Sequence, residues 1–248
     1  MNKKPLIIAN WKMNPDTAKE ALKNFKEIKN VASAHKKVET VICPPMGYVG
    51  LFKDETLLGA QNMFYAESGS YTGEVSPLML GDLGVNYVIL GHSERRALGE
   101  TNQDIAKKVV SCIKHSLTPI VCVGESSRDA DDYSNFVADQ VRQAVSMIPV
   151  EAVPQLVFAY EPIWAIGAGA ERPATAEEAK EMKLFIRKTL TDIAGDYAKS
   201  VRIMYGGSTN PANTKDFLVN GEADGLLVGG ASLDPKTFGE MLSIANNL

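Results

Sequence analysis

The feature that most limits the possible folds is a series of short apolar runs along the whole chain. Eight runs occur, at residues 6–9, 38–43, 57–60, 87–90, 119–123, 156–160, 201–205 and 225–228. Most are continuous rather than alternating in polarity, which is typical of strands buried on both faces of a parallel sheet. Each run is therefore predicted to form a parallel β-strand.

Segments with helical periodicity fill the gaps between these runs. Apolar faces form from Ala21, Leu22, Phe25 and Ile28, from Ile105, Val109, Cys112 and Ile113, and from Ala179, Met182, Phe185, Ile186, Leu190 and Ile193. We expect these faces to pack onto the sheet. Helix starts are indicated by Ser76-Pro77, Asn210-Pro211 and Asp234-Pro235, and by Thr175 with Glu178 at the spacing of a capping box.

Eight strands alternating with about eight helices allow a closed (β/α)8 barrel or an open, doubly wound sheet. Neither a linker nor a shift in composition divides the 248 residues. The first run is not followed by the G-x-G-x-x-G pattern that a dinucleotide-binding sheet needs. We therefore predict an α/β fold, a single-domain (β/α)8 barrel over residues 1–248, with its chemistry in the loops after the strands.

Composition and charge set limits on partners and compartment. The hydrophobic fraction of 45% allows a large core, and the net charge of −4 argues against nucleic acid or an anionic membrane as a partner. The first apolar run is too short for a signal peptide or a membrane span. We expect a cytoplasmic protein.

The cysteines do not have the spacing of a metal site or a redox pair. No C-x-x-C pattern occurs, and the histidines are not at metal-ligand spacing from the cysteines. We therefore expect free, buried thiols and no metal. The three cysteines are Cys43, Cys112 and Cys122, and the three histidines are His35, His92 and His115.

Two polar residues follow the first and fourth runs. Lys12 lies between Trp11 and Met13, where its ammonium can neutralise an anionic substrate; alternatively it is a surface lysine whose stem packs on apolar neighbours. His92 precedes a predicted helix start, which disfavours a protonated imidazole and leaves a neutral hydrogen-bond donor. The alternative is an ordinary core histidine. We interpret Arg95 and Arg96, beside Glu94, as a structural ion-pair cluster.

A carboxylate follows the sixth run. Glu161 precedes an apolar segment that Pro162 and the glycines Gly167 and Gly169 bracket. This arrangement suits a base that works beneath a lid, the segment 162–174. The alternative is an ordinary strand-to-helix connection with a solvated glutamate.

Paired glycines follow the last two runs, at Gly206-Gly207 and Gly229-Gly230. Glycines let backbone N–H groups approach an anion closely, and the corresponding loops of barrels often bind phosphate. The alternative is turn glycines that need a positive φ. With Lys12, His92 and Glu161, these loops fit proton transfer next to the carbonyl of a small phosphorylated compound, through an enediolate kept from water.

The sequence resembles the triosephosphate isomerase family. Five segments match its motifs in order across essentially the whole chain: residues 10–14, 91–96, 160–167, 205–208 and 227–233. The resemblance implies a (β/α)8 TIM barrel that needs no cofactor and no metal. It also implies interconversion of dihydroxyacetone phosphate and D-glyceraldehyde 3-phosphate, a step shared by glycolysis and gluconeogenesis.

The resemblance also implies roles for individual residues. Glu161 is implied as the base, neutral His92 as the electrophile and Lys12 as the group that stabilises negative charge. The residues implied to bind substrate are Asn10, Gly167, Ser208, Gly229 and Gly230. Those implied to support the site or the lid are Glu94, Glu125, Trp164 and Tyr205, with Glu125 holding Trp164 in the open lid and Tyr205 and Ser208 latching the closed one.

The family is typically a homodimer formed through the loop after the third strand. Residues 61–74 match that loop, and the resemblance implies that Thr72 reaches the Asn10 and Lys12 region of the second protomer. The residues alone support an apolar loop that needs a partner. The apolar residues of this exposed loop are predicted to be Met63, Phe64, Tyr65 and Tyr71.

Two segments depart from the family pattern. Residues 168–175 are longer than the usual far end of the lid and include Pro173, and residues 126–134 give no clear start for the following helix. Two other functions compete with the isomerase. Another phosphate-binding barrel enzyme of sugar or tryptophan metabolism would need a Schiff-base lysine or paired acids, and Lys12 alone does not supply these. An inactive barrel scaffold would lack Lys12, His92 or Glu161, and all three are present.

Overall fold

Eight short strands, all paired in parallel, form one sheet. The computed structural model describes residues 4–53, 55–128, 132–167, 170 and 172–248. The strands are β1 (Leu6–Asn10), β2 (Glu39–Cys43), β3 (Gly59–Ala60), β4 (Tyr87–Leu90), β5 (Thr118–Val123), β6 (Val157–Tyr160), β7 (Arg202–Tyr205) and β8 (Gly225–Val228).

The sheet closes on itself as a barrel. Its strand order is β2-β1-β8-β7-β6-β5-β4-β3. A parallel bridge between Ile42 and Leu58 joins the two ends of this order, and the Ile42 N–H donates to the Leu57 carbonyl at 2.7 Å. The prediction of a (β/α)8 barrel is therefore confirmed. The predicted bounds are exact for β4 and β8, differ by two residues at β3 and by one residue in the other strands.

Helices surround the barrel in the order that the sequence predicts. They are α1 (Ala18–Ala34), α2 (Met46–Val49), α3 (Pro77–Asp82), α4 (Ser93–Ala97), α5 (Asn102–Lys114), α6 (Tyr133–Val145), α7 (Ala176–Ala194), α8 (Pro211–Val219) and α9 (Pro235–Asn246). None of the helices in the described ranges is long and apolar enough to cross a membrane.

The predicted helix starts are present. Ser76, Asn210 and Asp234 cap α3, α8 and α9 with their side chains, and Thr175 and Glu178 form a full capping box on α7. Each cap supplies an acceptor to backbone N–H groups that lack a partner inside the helix. Residues 126–134 contain the start of α6 at Tyr133. Its N-cap, Asp132, follows a stretch (129–131) outside the described ranges.

One predicted core position is wrong. Leu22 is 47% exposed, whereas Ala21, Phe25 and Ile28 on the same helix are buried. Successive helical residues are about 100° apart. Leu22 is thereby turned away from the stripe that Ala21, Phe25 and Ile28 form. The rest of the predicted periodic faces lie against the barrel or border it.

Two apolar cores result from the alternation of side chains along each strand. One lies inside the barrel and includes Leu6 and Ile8; the other lies between strands and helices and includes Ile7 and Ala9. Residues two apart on a strand face the same way. The inward series of β1 therefore continues to Asn10 at the carboxyl end.

The same period explains the space at the carboxyl end of the barrel, here called the mouth. The inward series of β6, Val157 and Ala159, continues to Glu161. The inward series of β5, β7 and β8 instead reach Gly124, Gly206 and Gly229. Because these glycines carry no side chain, they leave room beside Asn10 and Glu161.

A polar network fills the opposite end of the barrel. The Tyr87 hydroxyl on β4 donates to the Glu39 carboxylate on β2, and Arg202 Nη1 on β7 lies 2.7 Å from Glu39 Oε2. Burial and the neighbouring Glu39 raise the pKa of Tyr87 well above its usual range. The hydroxyl therefore remains a donor, and three strands are cross-linked at this end.

Closure of the barrel depends on the absence of a side chain at Gly225. A Cβ atom there would lie 2.0 Å from the Leu6 carbonyl oxygen. We predict that Gly225→Ala lowers the free energy of unfolding by about 3 kcal/mol, the upper part of the usual overpacking range. Urea unfolding followed by circular dichroism measures this change.

Gly81→Ala is the matched control for Gly225→Ala. A Cβ atom at Gly81, within α3, meets nothing within 4 Å. Alanine is favoured over glycine inside a helix by about 0.5–1 kcal/mol, so this variant should be at least as stable as the parent. Equal unfolding midpoints for the two variants would contradict the role given to Gly225.

Candidate active site

A cavity of about 250 Å³ opens at the mouth of the barrel. It is enclosed by the ends of several strands and by the first part of the lid. Of the residues predicted to act or bind there, seven line it: Asn10, Lys12, His92, Gly167, Ser208, Gly229 and Gly230. The barrel therefore brings together residues that are far apart in sequence.

Lys12 has a strained backbone that its neighbours hold in place. Its φ of 53° is in the left-handed region, which non-glycine residues seldom adopt. The Lys12 N–H donates to Asn10 Oδ1 at 3.0 Å, and the Gln61 side-chain amide donates to the Lys12 carbonyl at 2.8 Å. These two bonds keep Lys12 in a conformation that directs it to the cavity.

Gln61 is a positioning residue that the sequence analysis did not single out. Its amide also donates to the Cys43 carbonyl at 2.9 Å, so it ties the end of β2 to Lys12. The available signal was its place directly after β3, because polar residues at the carboxyl ends of barrel strands are candidates.

Glu94 pairs with Lys12 and not with the adjacent arginines. Lys12 Nζ lies 2.6 Å from Glu94 Oε1. Arg96 donates instead to the carbonyls of Gly91 at 2.8 Å and Cys122 at 3.1 Å. The predicted ion-pair cluster is therefore wrong for both arginines within the described ranges. Arg96 braces the loop after β4, because buried carbonyl oxygens there need a donor.

The tautomer of His92 follows from one hydrogen bond. His92 caps α4, and the Glu94 N–H donates to its Nδ1 at 3.2 Å. A backbone N–H can only donate, so Nδ1 carries no proton and Nε2 carries it. His92 is thus a neutral imidazole with a donor at Nε2.

Glu161 is a buried carboxylate at the end of β6. It is 2% exposed, and its Oε2 accepts the Ser93 N–H at 2.8 Å. Its Oε1 lies 3.2 Å from His92 Nε2 but accepts no hydrogen bond of good geometry from the described residues. The neutral donor and the carboxylate therefore lie side by side, and one buried carboxylate oxygen has no hydrogen-bond partner among the described residues.

A buried thiol lies beneath this carboxylate. Burial raises the pKa of Cys122 well above its usual range, and the nearby Glu161 raises it further. Burial also raises the pKa of Cys43 and Cys112, and all three cysteines are free. The thiols therefore stay protonated and are not nucleophiles.

Glycines fix the position of Glu161 by allowing close approach. A Cβ atom on Gly124 would lie 1.8 Å from the Glu161 carbonyl oxygen, and one on Gly206 would lie 3.0 Å from Glu161 Cγ. Gly124 was not among the residues predicted from the sequence. Its position directly after the β5 run was the available signal.

The paired glycines are not turn glycines. Gly206, Gly207, Gly229 and Gly230 all lack a positive φ. A Cβ atom on Gly207 would lie 2.2 Å from the Tyr205 hydroxyl oxygen, and one on Gly229 would lie 3.2 Å from Lys12 Cε. The alternative interpretation is therefore wrong. Glycine is needed for space at Gly207, and a side chain at Gly206 or Gly229 would be tight, whereas a Cβ atom on Gly230 would meet nothing within 4 Å.

The near end of the lid is anchored by Trp164. Its indole N–H donates to Glu125 Oε1 at 2.8 Å, and the Tyr160 hydroxyl donates to the same oxygen at 2.7 Å. Tyr205 stacks on Phe217, and no hydrogen bond joins it to the described part of the lid. The longer far end, 168–175, includes residues 168, 169 and 171, which lie outside the described ranges.

The loop after β3 differs in one respect from the prediction. Met63 is 1% exposed and packs against Cys112, so its predicted exposure is wrong. It lies in the shell between strands and helices, which takes up an unbranched side chain easily. Phe64 instead stacks on Tyr65, with 4.2 Å between the ring centres. Tyr71 is 46% exposed, and its neighbour Thr72 is exposed as well.

The barrel fold and the residues at its mouth together define a class of protein. A neutral imidazole, an ammonium group and two glycine-rich loops line one cavity at the carboxyl ends of the strands, and the buried Glu161 carboxylate lies 3.2 Å behind the imidazole. Such a set performs acid–base chemistry on an anionic ligand. The chain is a (β/α)8-barrel enzyme.

Comparison with known proteins identifies the family. A sequence model of the triosephosphate isomerase family matches residues 5–245. The triosephosphate isomerase of Dictyoglomus turgidum is 44% identical over 249 aligned positions, which cover 97% of this chain and 99% of that relative. The chain belongs to the triosephosphate isomerase family, and the resemblance inferred from its five motifs is confirmed.

Removal of the Gln61 amide tests its role in holding Lys12. Gln61→Ala leaves the partly buried Lys12 carbonyl without this donor, which should lower the free energy of unfolding by about 1–3 kcal/mol. Gln103→Ala, at an exposed position on α5, should change stability by less than about 0.5 kcal/mol. Urea unfolding of both variants measures the difference, and equal stabilities would contradict the role of Gln61.

Proposed function

We propose that this chain interconverts dihydroxyacetone phosphate and D-glyceraldehyde 3-phosphate through an enediolate. The observation that carries the proposal is the neutral His92, which lines the cavity and whose Nε2 donor lies 3.2 Å from the buried Glu161. The relative from Dictyoglomus turgidum bears the name of this activity. The reaction needs a base and an electrophile and no redox step, and this pair supplies both.

Glu161 is the base in this proposal. It removes a proton from one carbon of the substrate and returns it to the neighbouring carbon. Its burial supports this role, because a desolvated carboxylate has little water to lose before it reacts. The Ser93 N–H at 2.8 Å orients one oxygen and leaves the other for the substrate.

His92 and Lys12 stabilise the charge that develops on the enediolate. The His92 Nε2–H donates to the substrate oxygen that becomes negative, and a fixed donor of this kind costs no rearrangement during the reaction. Lys12 supplies a positive charge at the same cavity, and Glu94 holds its ammonium at 2.6 Å. Asn10 supports Lys12 and contributes to binding the substrate.

Backbone N–H groups bind the phosphate of the substrate. Gly167, Ser208, Gly229 and Gly230 supply them, and all four residues line the cavity. A local cluster of backbone amides binds an anion in a chain whose net charge is −4, because the amides act at short range.

The lid keeps water from the enediolate. We interpret the arrangement of Trp164 on Glu125 as the open form. In the closed form Tyr205 and Ser208 hold the lid over the substrate. Exclusion of water protects an intermediate that would otherwise lose its phosphate.

The active form in this proposal is a homodimer. Beside Lys12 lies another hollow, lined by Met13 and Leu98, which are 91% and 79% exposed, and Tyr71 protrudes from the adjacent loop. Apolar exposure of this extent in one region supports a protein–protein interface. The loop 61–74, with Thr72, inserts there from the second protomer.

Shortening the base tests the catalytic assignment. Glu161→Asp withdraws the carboxylate from the substrate, and a displacement of about 1 Å lowers kcat about 100-fold. A coupled assay of glyceraldehyde 3-phosphate turnover measures kcat. Glu27→Asp, at an exposed position on α1, should retain full activity. A parent enzyme no faster than Glu161→Asp would refute the assignment of the base.

A charge in the interface loop tests the dimer. Thr72→Arg places a long cation where the second protomer is expected, so the variant should have the monomer mass of 26.8 kDa and a reduced kcat. Thr56→Arg, exposed before β3 at the other end of the barrel, should remain dimeric. Light scattering after gel filtration gives the mass. An active dimer of Thr72→Arg would rule out this interface.

A further inference from the structure

Two arginine side chains lie against the indole of Trp164, the anchor of the lid. The guanidinium carbon of Arg172 is 4.6 Å from the ring centre, and that of Arg128 is 5.6 Å from it. Both distances are within the range of a cation–π interaction. Trp164 is only 5% exposed, so the guanidinium groups contribute to covering its ring.

Arg172 is fixed in place by α7. Its Nη2 donates to Glu178 Oε1 at 2.6 Å and its Nη1 to Glu178 Oε2 at 3.0 Å. This pairing is the main reason that the pKa of Glu178 falls to about 2, so the carboxylate is ionised at neutral pH. A bidentate pair holds the planar guanidinium in one orientation. Arg172 is thereby attached to the start of the helix that follows the lid.

Arg128 has a different set of partners. Its Nε lies 3.3 Å from Glu125 Oε1, its Nη2 donates to the Tyr160 hydroxyl at 3.2 Å, and its Nη1 donates to Glu181 at 3.1 Å. None of these bonds involves Trp164. They persist when the indole leaves, and Arg128 therefore keeps the buried Glu125 carboxylate paired in either position of the lid.

We infer that Arg172 is a positioning residue that holds Trp164 against Glu125 and so sets how readily the lid closes. The link to closure rests on the proposed function. Because Glu178 keeps Arg172 on α7, movement of Trp164 away from Glu125 separates the indole from the guanidinium. The contact with Arg172 stabilises only the open arrangement, whereas Arg128 supports Glu125 in both.

Quenching of tryptophan fluorescence by acrylamide tests the contact without any ligand. The chain has two tryptophans, and Trp11 is fully buried, so an increase in quenching reports on Trp164. Arg172→Ala should increase quenching, because the indole loses its cover. Arg172→Lys keeps a charge beside Glu178 without the planar group and should give an intermediate value.

Two matched variants control this measurement. Arg142→Ala removes an exposed arginine from the last turn of α6 and should leave quenching unchanged. Arg172→Ala combined with Trp164→Phe should match Trp164→Phe alone. If acrylamide quenches the fluorescence of Arg172→Ala no more than that of the parent, the contact does not position Trp164, and the inference fails.

Binding of sn-glycerol 3-phosphate tests the effect on closure. This compound has no carbonyl and does not isomerise. Loss of an exposed cation–π contact from the open form should tighten its binding by about two- to five-fold in Arg172→Ala, with a matching fall in KM. A residue that only stabilised the fold would weaken binding when removed.

The outcomes separate this inference from the proposed function. Increased quenching with tighter binding supports the positioning role, and increased quenching with unchanged or weaker binding refutes the link to closure. If the parent protein does not bind sn-glycerol 3-phosphate, the proposed function fails. The quenching result then decides by itself whether Arg172 positions Trp164.

Discussion

Closure of eight parallel strands into one barrel determines the position of every functional group in this chain. The bridge between Ile42 and Leu58 completes the circle, and Gly225 against the Leu6 carbonyl keeps β8 and β1 close enough to pair. Because all strands run the same way, their carboxyl ends meet at one mouth. Because residues two apart face the same way, the inward series of β1 and β6 deliver Asn10 and Glu161 to that mouth.

The backbone controls the chemistry of the mouth more than the net charge does. A backbone N–H sets the tautomer of His92, and another orients the Glu161 carboxylate. Gln61 and Asn10 hold Lys12 in its left-handed conformation. Such groups are already in place before a ligand arrives, which is how a preorganised site stabilises developing charge. The loops after β7 and β8 follow the same principle, because their glycines leave backbone amides uncovered at the cavity.

The lid shows how a local departure from the family pattern is accommodated. The sequence predicts a longer far end, and α7 begins directly after its cap, Thr175. Arg172, within that segment, is paired with Glu178, the second residue of the capping box, and lies against Trp164. This segment therefore carries a contact between the helix start and the near end of the lid.

The sequence by itself determined the strand order, the helix caps and the residues that end at the mouth. Continuous apolar runs, Ser-Pro and Asn-Pro starts and the five family motifs are local signals that survive folding. Only the tertiary structure decided that Glu94 turns to Lys12 rather than to Arg96, that Met63 is buried, and that Gln61, Gly124 and Arg172 have roles. These depend on distances between segments far apart in the chain. Local propensity carries no information about such distances, because closure of the barrel sets them.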